Sequence, residues 1–530
     1  MTTDHRKRNS AIPTELWSLR EDVHVEFEPA DGPVLLHSHW GDVTIQRPVP
    51  VVREALRRML LGPISLENVV AGRRDTALRQ TASENLAMLH SVLDQLQPLI
   101  IRTLGFESGQ PLLSVVPLTP QARFQPEPLP ADLQVRLSSF VQLRTDGNEY
   151  RLESPLSLHR VLLHQPEAVW LLGSLARPAP VAMSASAWPN LGPLGADALA
   201  YLAAVGMVVV GAEVAEDKPI TESTSLAGWS AVDLAMHTRS NLGRHDSAVG
   251  RTYPMGEEGS PEPVVVPPRS DPGIPLHRPQ WEHLSAVDPP LAVVMEGRQS
   301  QRSYSAEPVT AEELGELLYR AARLRAVIVP QSAGPEPGRG WRDPRLSDRP
   351  YPGGGACYEL ELYLTVRECA GIPPGIYHYD PGRHCLELVN ADHQVAEHLL
   401  LSAAETTGMG VLPPVLITMT ARFQRLSWKY EGIAYATVLK DVGVLVQNLY
   451  LVCTAMGLAP CALGAVNLEL SARAFGTDWR LEPSVGQFIF GRAAELPPGY
   501  TWRWEPVNDA EWADHARTWL RASAEARNPG

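Results

Sequence analysis

One stretch constrains this chain more than any other: RFQRLSWKYEGIAYATVLKDVGVLVQNLYLVCTAMG, from Arg422 to Gly457. Val438, Val442, Leu445, Leu449, Val452 and Met456 recur at alternating steps of four and three, the spacing of one face of an α-helix. Gly457 is placed to stop that helix. Immediately upstream, Trp428, Lys429, Tyr430 and Tyr435 set an amine and phenols at the mouth of an apolar element. A lysine held against aromatics loses part of its preference for the charged form through desolvation, which makes Lys429 a candidate base near neutral pH. The same spacing also fits a surface lysine beside a core tyrosine.

At 530 residues the chain should divide into two to four domains, at ~100–200 residues each. A net charge of −14 argues against nucleic acid as the main partner. No run of eighteen apolar residues occurs, so no membrane span is expected. The opening MTTDHRKRNS is charged with no apolar segment behind it, so no secretory signal is expected. Cys357, Cys369, Cys385, Cys453 and Cys461 are odd in number and contain no C-x-x-C pair. That pattern suits reduced thiols in a cytoplasmic protein and supplies neither a disulfide framework nor a metal site.

Along the chain, Val23–Pro29 and Pro33–His39 read as strands flanking an Ala-Asp-Gly turn. Val51–Gly62 and Glu84–Leu99 read as helices, followed by strand-like apolar pieces around Leu112–Leu118. A similar order returns: a hairpin over Phe140–Pro155 around Asp146-Gly147, then a helical Ser157–Arg177 in which Pro166 opens a second helix. Gly195–Val214 is expected to run as a helix through Gly206 into a strand. This weak repeat has the layout of two winged-helix modules, 1–120 and 121–225. The Arg53, Arg57, Arg58 cluster is equally a solvated helix face, and with this net charge a peptide added along a hairpin edge is favoured over DNA.

A short helical piece, Ala227–His245, leads into the proline-rich stretch Pro254–Pro290, which reads as a linker or wrapping arm and marks the main domain boundary within 226–290. Beyond it, Arg298, Ser300 and Arg302 alternate in GRQSQRSY. On an extended segment they would offer two guanidiniums and a hydroxyl to one anion, or simply form a charged edge. Thr310 and Glu313 form a capping box for a helix over Ala311–Arg325. Pro352-Gly353-Gly354-Gly355 feeds a strand; such a run allows close approach of a flat ligand or makes a flexible loop. Gly375–Asp380 with Cys385–Val389 is a hairpin, Val415–Ala421 a buried strand, and Gln487–Arg492 a strand ending in Gly491-Arg492. The tail Asp509–Arg527 is an amphipathic helix.

Arg298-Gln299-Ser300-Gln301-Arg302, the Pro352–Tyr358 loop, Lys429-Tyr430, the Asp441–Gly457 helix and Gly491-Arg492 form an ordered set. Over Leu291 to Pro506 this set resembles the nitroreductase-like flavoproteins, and among them the SagB-type (McbC-like) dehydrogenases of ribosomally made, modified peptides. The resemblance implies an α+β fold: a C-terminal nitroreductase-like FMN domain over 291–510, with a tail helix over 511–530, preceded by the two winged-helix-like modules. It also implies a homodimer with flavins at the subunit interface. Arg298, Gln299, Ser300 and Arg302 would hold the FMN phosphate and ring edge, and Arg492 would complete the phosphate site. Pro352, Gly353 and Gly354 would lie near the isoalloxazine of the partner subunit, and Gly464 and Ala465 would present backbone groups to it. The family loop commonly reads Pro-Ser-Gly-Gly; here Gly353 takes the serine's place.

Lys429 and Tyr430 match the pair this family uses in azoline oxidation. Converting a thiazoline or oxazoline to its azole removes one proton and one hydride; Lys429 would take the proton, assisted by Tyr430, and flavin N5 the hydride. The implied partners are a precursor peptide bearing azolines, held by the N-terminal modules through Val23–Pro29 or Phe140–Arg144, and a cyclodehydratase complex. Two other functions stay open on the residues: a general nicotinamide-dependent nitroreductase, and a flavin-free docking scaffold.

Overall fold

The apolar stripe ending at Met456 forms one long helix, Ala434–Ala455, in the computed structural model of this chain, and Gly457 follows it at φ +74°. The structure describes residues 13–29, 32–71, 81–147, 149–186, 191, 193–211, 223–256, 262–269, 272–329, 345–408, 410–494 and 510–527. The charged N-terminal decapeptide, the Ala30-Asp31 turn, Ala212–Val214 and Asp509 lie outside these residues. The chain divides into two units, Met1–Ser247 and Ala248–Gly530.

The first unit contains a six-stranded antiparallel sheet in the order Pro13–Leu19, Ile100–Phe106, Pro111–Pro117, His159–Leu163, Glu149–Glu153, Gln142–Asp146. A three-stranded sheet carries the expected hairpin of His24–Phe27 with Val34–Ser38, plus Gly41–Ile45. The six-stranded sheet draws strands from both sides of residue 120, so the boundary expected there falls within one sheet. The helix expected from Ser157 is replaced by the strand His159–Leu163. Its residues alternate buried and half-buried, and it pairs with Pro111–Pro117 and Glu149–Glu153, so tertiary pairing decides the conformation of a short apolar run. The second helix does begin at Pro166, with proline in its first turn.

In the second unit, seven antiparallel strands run in the order Ile274–Pro275, Cys385–Asn390, Gly375–Asp380, Leu360–Val366, Val415–Ala421, Ser484–Arg492, Leu458–Leu463. Leu360–Val366 and Val415–Ala421 are buried throughout, because both faces of the sheet are covered. On one face Leu360, Leu362 and Leu364 pack with Leu317 and Leu318 of the helix Ala311–Ala322 and with Leu445 and Leu449 of the long helix. On the other, Tyr363 and Ile376 pack with Leu399, Leu400 and Phe475 from the helices His393–Thr407 and Leu468–Phe475. This is the α+β arrangement expected, and the Thr310/Glu313 capping box is present. By length and hydropathy the long helix could cross a bilayer. Here it lies in the protein core with Val438, Leu445, Leu449 and Cys453 fully buried.

The proline-rich stretch is an arm bound to the second unit rather than a free linker. Gly250–Arg251 pairs with Tyr430–Glu431, Ile274–Pro275 extends the large sheet, and Trp281–Val287 is a helix. The tail forms a helix over Ala510–Arg527, and Leu520 lies against Gly297.

Candidate active site

A short helical turn, Gln424–Ser427, follows the buried strand Val415–Ala421 and delivers Lys429 to the start of the long helix. The Lys429 side chain is 7% exposed. Its Nζ donates to the Gly355 carbonyl at 2.9 Å and lies 5.3 Å from the centre of the Tyr430 ring. Burial lowers the pKa of this amine from its ordinary value; the guanidiniums of Arg251 and Arg425 push the same way, against the nearby Cys357 thiol. Burial likewise raises the Tyr430 phenol, so Tyr430 stays protonated at neutral pH. An amine whose charged form burial disfavours thus stands beside a phenol that keeps its proton.

The glycine loop is shaped to this pair. Gly355 sits at φ +57°, and a Cβ there would come within 2.6 Å of Lys429 Nζ and closer still to Tyr430 Oη. Gly354 presses on the long helix, where a Cβ would collide with Thr437, and its N–H donates to Asp441 Oδ2 at 2.8 Å. Gly353, the departure from the family serine, faces the Tyr358 ring, 3.0 Å from where a Cβ would stand. A serine here would crowd that ring, whose hydroxyl donates to the Tyr351 carbonyl at 2.7 Å.

The arm closes the other side. Tyr253 N–H donates to the Lys429 carbonyl at 3.2 Å, Thr252 Oγ1 to Glu431 at 3.0 Å, and the Tyr253 ring lies 5.3 Å from that of Trp428. Arg425, buried, donates to the carbonyls of Cys357, Glu262 and Arg345; Arg422 donates to the Pro263 carbonyl and to Glu361 at 2.9 Å. These two arginines tie the arm and the glycine loop to the turn that carries Lys429.

A second cluster gathers near the far end of the long helix. Residues 298–303 form no helix or strand, and the Gln301 N–H donates to the Pro460 carbonyl at 2.8 Å. Ser300 Oγ lies 2.8 Å from Tyr450 Oη, which accepts from the Ala462 N–H at 2.8 Å, and the Arg298 guanidinium lies 5.2 Å over the Tyr450 ring. Arg302 bonds to the Cys461 thiol. No carboxylate pairs with Arg298 or Arg302 among the described residues, so both retain charge for an anion. Gln299 is half-buried in the same segment. Gly464 follows the strand Leu458–Leu463 with open space where a side chain would stand, and Ala465 follows it. Arg298 and Arg302 thus place two guanidiniums beside Tyr450 and Cys461, a charge that suits an anionic group. Arg492 adds none: its guanidinium pairs with Glu313 at 2.9 Å and Glu307 at 3.4 Å, leaving no surplus charge for a phosphate.

The structure thus joins Lys429, Tyr430 and the glycine loop in one place, and Arg298, Ser300 and Arg302 in another. From Asp441 to Tyr450 the helical rise is about 13 Å. Sequence reasoning missed Glu359, Tyr450 and the arm residue Tyr253, and took Asp441 only as the start of a helical motif. Asp441 carried a signal, since it lies three residues after Val438 and four before Leu445, on the apolar face.

The nitroreductase family profile matches residues 295–492, and that of the cyanobactin oxidase ThcOx matches residues 135–246. A Methanocaldococcus jannaschii protein named as a nitroreductase is 31% identical over 175 residues, 33% of this chain and 78% of that protein. The microcin B17-processing protein McbC of Escherichia coli is 29% identical over 154 residues, 28% of this chain and 56% of McbC. The trifolitoxin-processing protein TfxB of Rhizobium leguminosarum bv. trifolii is 27% identical over 150 residues, 27% of this chain and 39% of TfxB.

Proposed function

This chain belongs to the nitroreductase family, and we propose that it is an FMN-dependent dehydrogenase that oxidises thiazoline or oxazoline rings of a ribosomally made peptide to azoles. The observation that carries the reading is the buried Lys429 amine, fixed by the Gly355 carbonyl at 2.9 Å beside Tyr430. The resemblance to two peptide-processing proteins, McbC and TfxB, supports a peptide as substrate.

Bound FMN would supply the acceptor for the hydride that leaves the ring. Arg298, Ser300 and Arg302 would hold its anionic and ring-edge groups. Lys429, as the neutral amine, takes the ring proton; Tyr430, protonated, donates a hydrogen bond that keeps the amine and the substrate in line. Burial makes the neutral amine available at lower pH than for a free lysine, so turnover should rise with pH on that limb.

The distance between the two clusters along the long helix supports a site completed by a second copy of the chain. The first unit offers a place for the peptide. Gln142–Asp146 is an edge strand exposed along its whole length, bordering a groove of about 410 Å³ lined by Arg144, Met236 and Arg244. A cyclodehydratase is the partner such a substrate implies, since it would make the azolines.

The test is an absorbance spectrum of the purified protein, then mass spectrometry of an azoline-bearing peptide incubated with it. A yellow protein that removes two mass units per ring, with the loss abolished in Lys429→Ala, is the expected result. A colourless protein that binds peptide and leaves its mass unchanged would replace this reading with a docking scaffold. Consumption of a nicotinamide on small aromatics, with peptide untouched, would replace it with a general reductase.

A further inference from the structure

Beneath the glycine loop lies a pair of acids that the reaction as described does not use. Glu359, fully buried, directly precedes the strand Leu360–Val366; Asp441, 7% exposed, sits on the long helix. Neither oxygen of Glu359 receives a hydrogen bond from another residue among the described residues. Ionising this buried carboxyl is costly, although its own backbone N–H and the Arg349 guanidinium favour the charged form. A protonated Glu359 resolves this, because its hydroxyl can donate to the adjacent Asp441 carboxylate, and burial followed by that carboxylate pushes Glu359 up to about 8. Burial also raises Asp441, while the Gly354 N–H and Glu359 draw it back down. The other groups facing the pair are Arg349, Tyr351, Cys357 and Tyr430.

Asp441 is thereby left with one lone pair for Glu359 and another for the loop. It takes the Gly354 N–H at 2.8 Å, while the next residue in the loop, Gly355, gives its carbonyl to Lys429 at 2.9 Å. The loop is anchored to the helix on one side and holds the amine on the other, with no side chain of its own between them. We propose that Asp441, backed by Glu359, is a positioning residue that fixes the glycine loop and through it the Lys429 amine. Its role rests on the reading of Lys429 as the base, but its effect on where the amine sits does not.

The test follows both the amine and the turnover in the full-length protein. Acetic anhydride acetylates neutral amines, and mass spectrometry gives the rate at Lys429 as a function of pH. In Asp441→Ala the loop loses its anchor, the amine gains water, and the midpoint of Lys429 acetylation should rise toward that of an ordinary lysine. Azole formation should fall at least tenfold in kcat, with KM for the peptide changed less than twofold. Asp441→Asn keeps an oxygen for the Gly354 N–H and an amide donor for Glu359, and should restore both readouts to within about threefold of the native protein. If the alanine variant does not fold, Asp441→Ser, too short to reach the Gly354 N–H, carries the same expectation. A Lys429 midpoint unchanged in the alanine or serine variant would overturn the proposal, as would an asparagine variant no better than alanine. Activity surviving in Lys429→Ala while the midpoint shift holds would remove the base and leave the positioning role standing.

Discussion

Replacing Gly355 with alanine separates a loop shaped for the amine from one that is simply flexible. Gly355 occupies the left-handed region at φ +57°, where a residue with a Cβ is disfavoured by about 1–2 kcal/mol. The added methyl would stand 2.6 Å from Lys429 Nζ and nearer to Tyr430 Oη, inside any nonbonded contact distance, so both groups must move. Lys429 then gives up its bond to the Gly355 carbonyl, a bond of about 1.5–3 kcal/mol when the donor carries charge. Both displaced groups are the far ends of flexible side chains and can swing away. The backbone penalty is therefore what remains in the stability, and the lost placement of the amine appears in the rate. Calorimetry should show Tm lowered by about 2–8 °C, from about 2–4 °C per kcal/mol for a unit of this size. Mass spectrometry of the azoline peptide should show kcat reduced by about a hundredfold or more, with peptide affinity by fluorescence anisotropy unchanged. A Gly355→Ala protein turning over at the native rate would refute the reasoning, because a loop that admits a Cβ cannot be in contact with both groups.

Two further outcomes follow from buried charge. Burial alone would raise the Glu361 carboxyl, but the Arg422 guanidinium and His378 hold it down at about 2; Arg422→Met strands that charge and should cost about 3–5 kcal/mol in urea unfolding. The same linkage makes this carboxylate's contribution fully present above its unfolded pKa near 4.5 and lost as pH falls toward 2. In the first unit, burial lowers His159 from 6.5 to about 4. The unfolded chain therefore binds the extra proton between those values, and stability should drop by about 3 kcal/mol as pH falls from 6.5 to 4, a limb that His159→Leu should flatten.

Much of the second unit could be read before any coordinates, for reasons that lie in particular residues. The stripe from Val438 to Met456 has only one way to bury itself, and Gly457 ends it; the Thr310/Glu313 box fixes the start of its neighbour. Lys429, Tyr430 and the glycines were visible as motifs, but their contact was not, since the φ of Gly355 and the closeness of Nζ depend on segments distant in sequence. Arg492 shows the converse. The family resemblance implied a phosphate role for it, and only the fold reveals Glu307 and Glu313 beside it. His159–Leu163 misled because five residues carry too little periodicity to separate strand from helix; the pairing partners decide, and they come from Pro111–Pro117 and Glu149–Glu153. The prolines of the arm argued against a helix or central strand, yet nothing in them announced that Arg422 and Arg425 would bind the carbonyls of Pro263 and Glu262.

That arm changes what counts as the folded unit around Lys429. Keeping an amine buried is unfavourable, and among the described residues Lys429 has a single carbonyl acceptor to offset the lost water. Its burial is maintained from outside by the backbone pairing of Gly250–Arg251 with Tyr430–Glu431, by the Tyr253 N–H on the Lys429 carbonyl, and by the arginines that grip Glu262 and Pro263. Sequence boundaries alone would place the start of an independent flavin domain at Leu291, beyond every one of these contacts. A truncation there should therefore let water reach the amine, returning Lys429 acetylation to the pH range of an ordinary lysine. One that begins at Ala248 keeps the arm and should preserve the native midpoint while losing only what the first unit binds. If the two truncations gave the same Lys429 midpoint, the arm would be packing and nothing more, and the lowered basicity of the amine would have to come from the glycine loop alone.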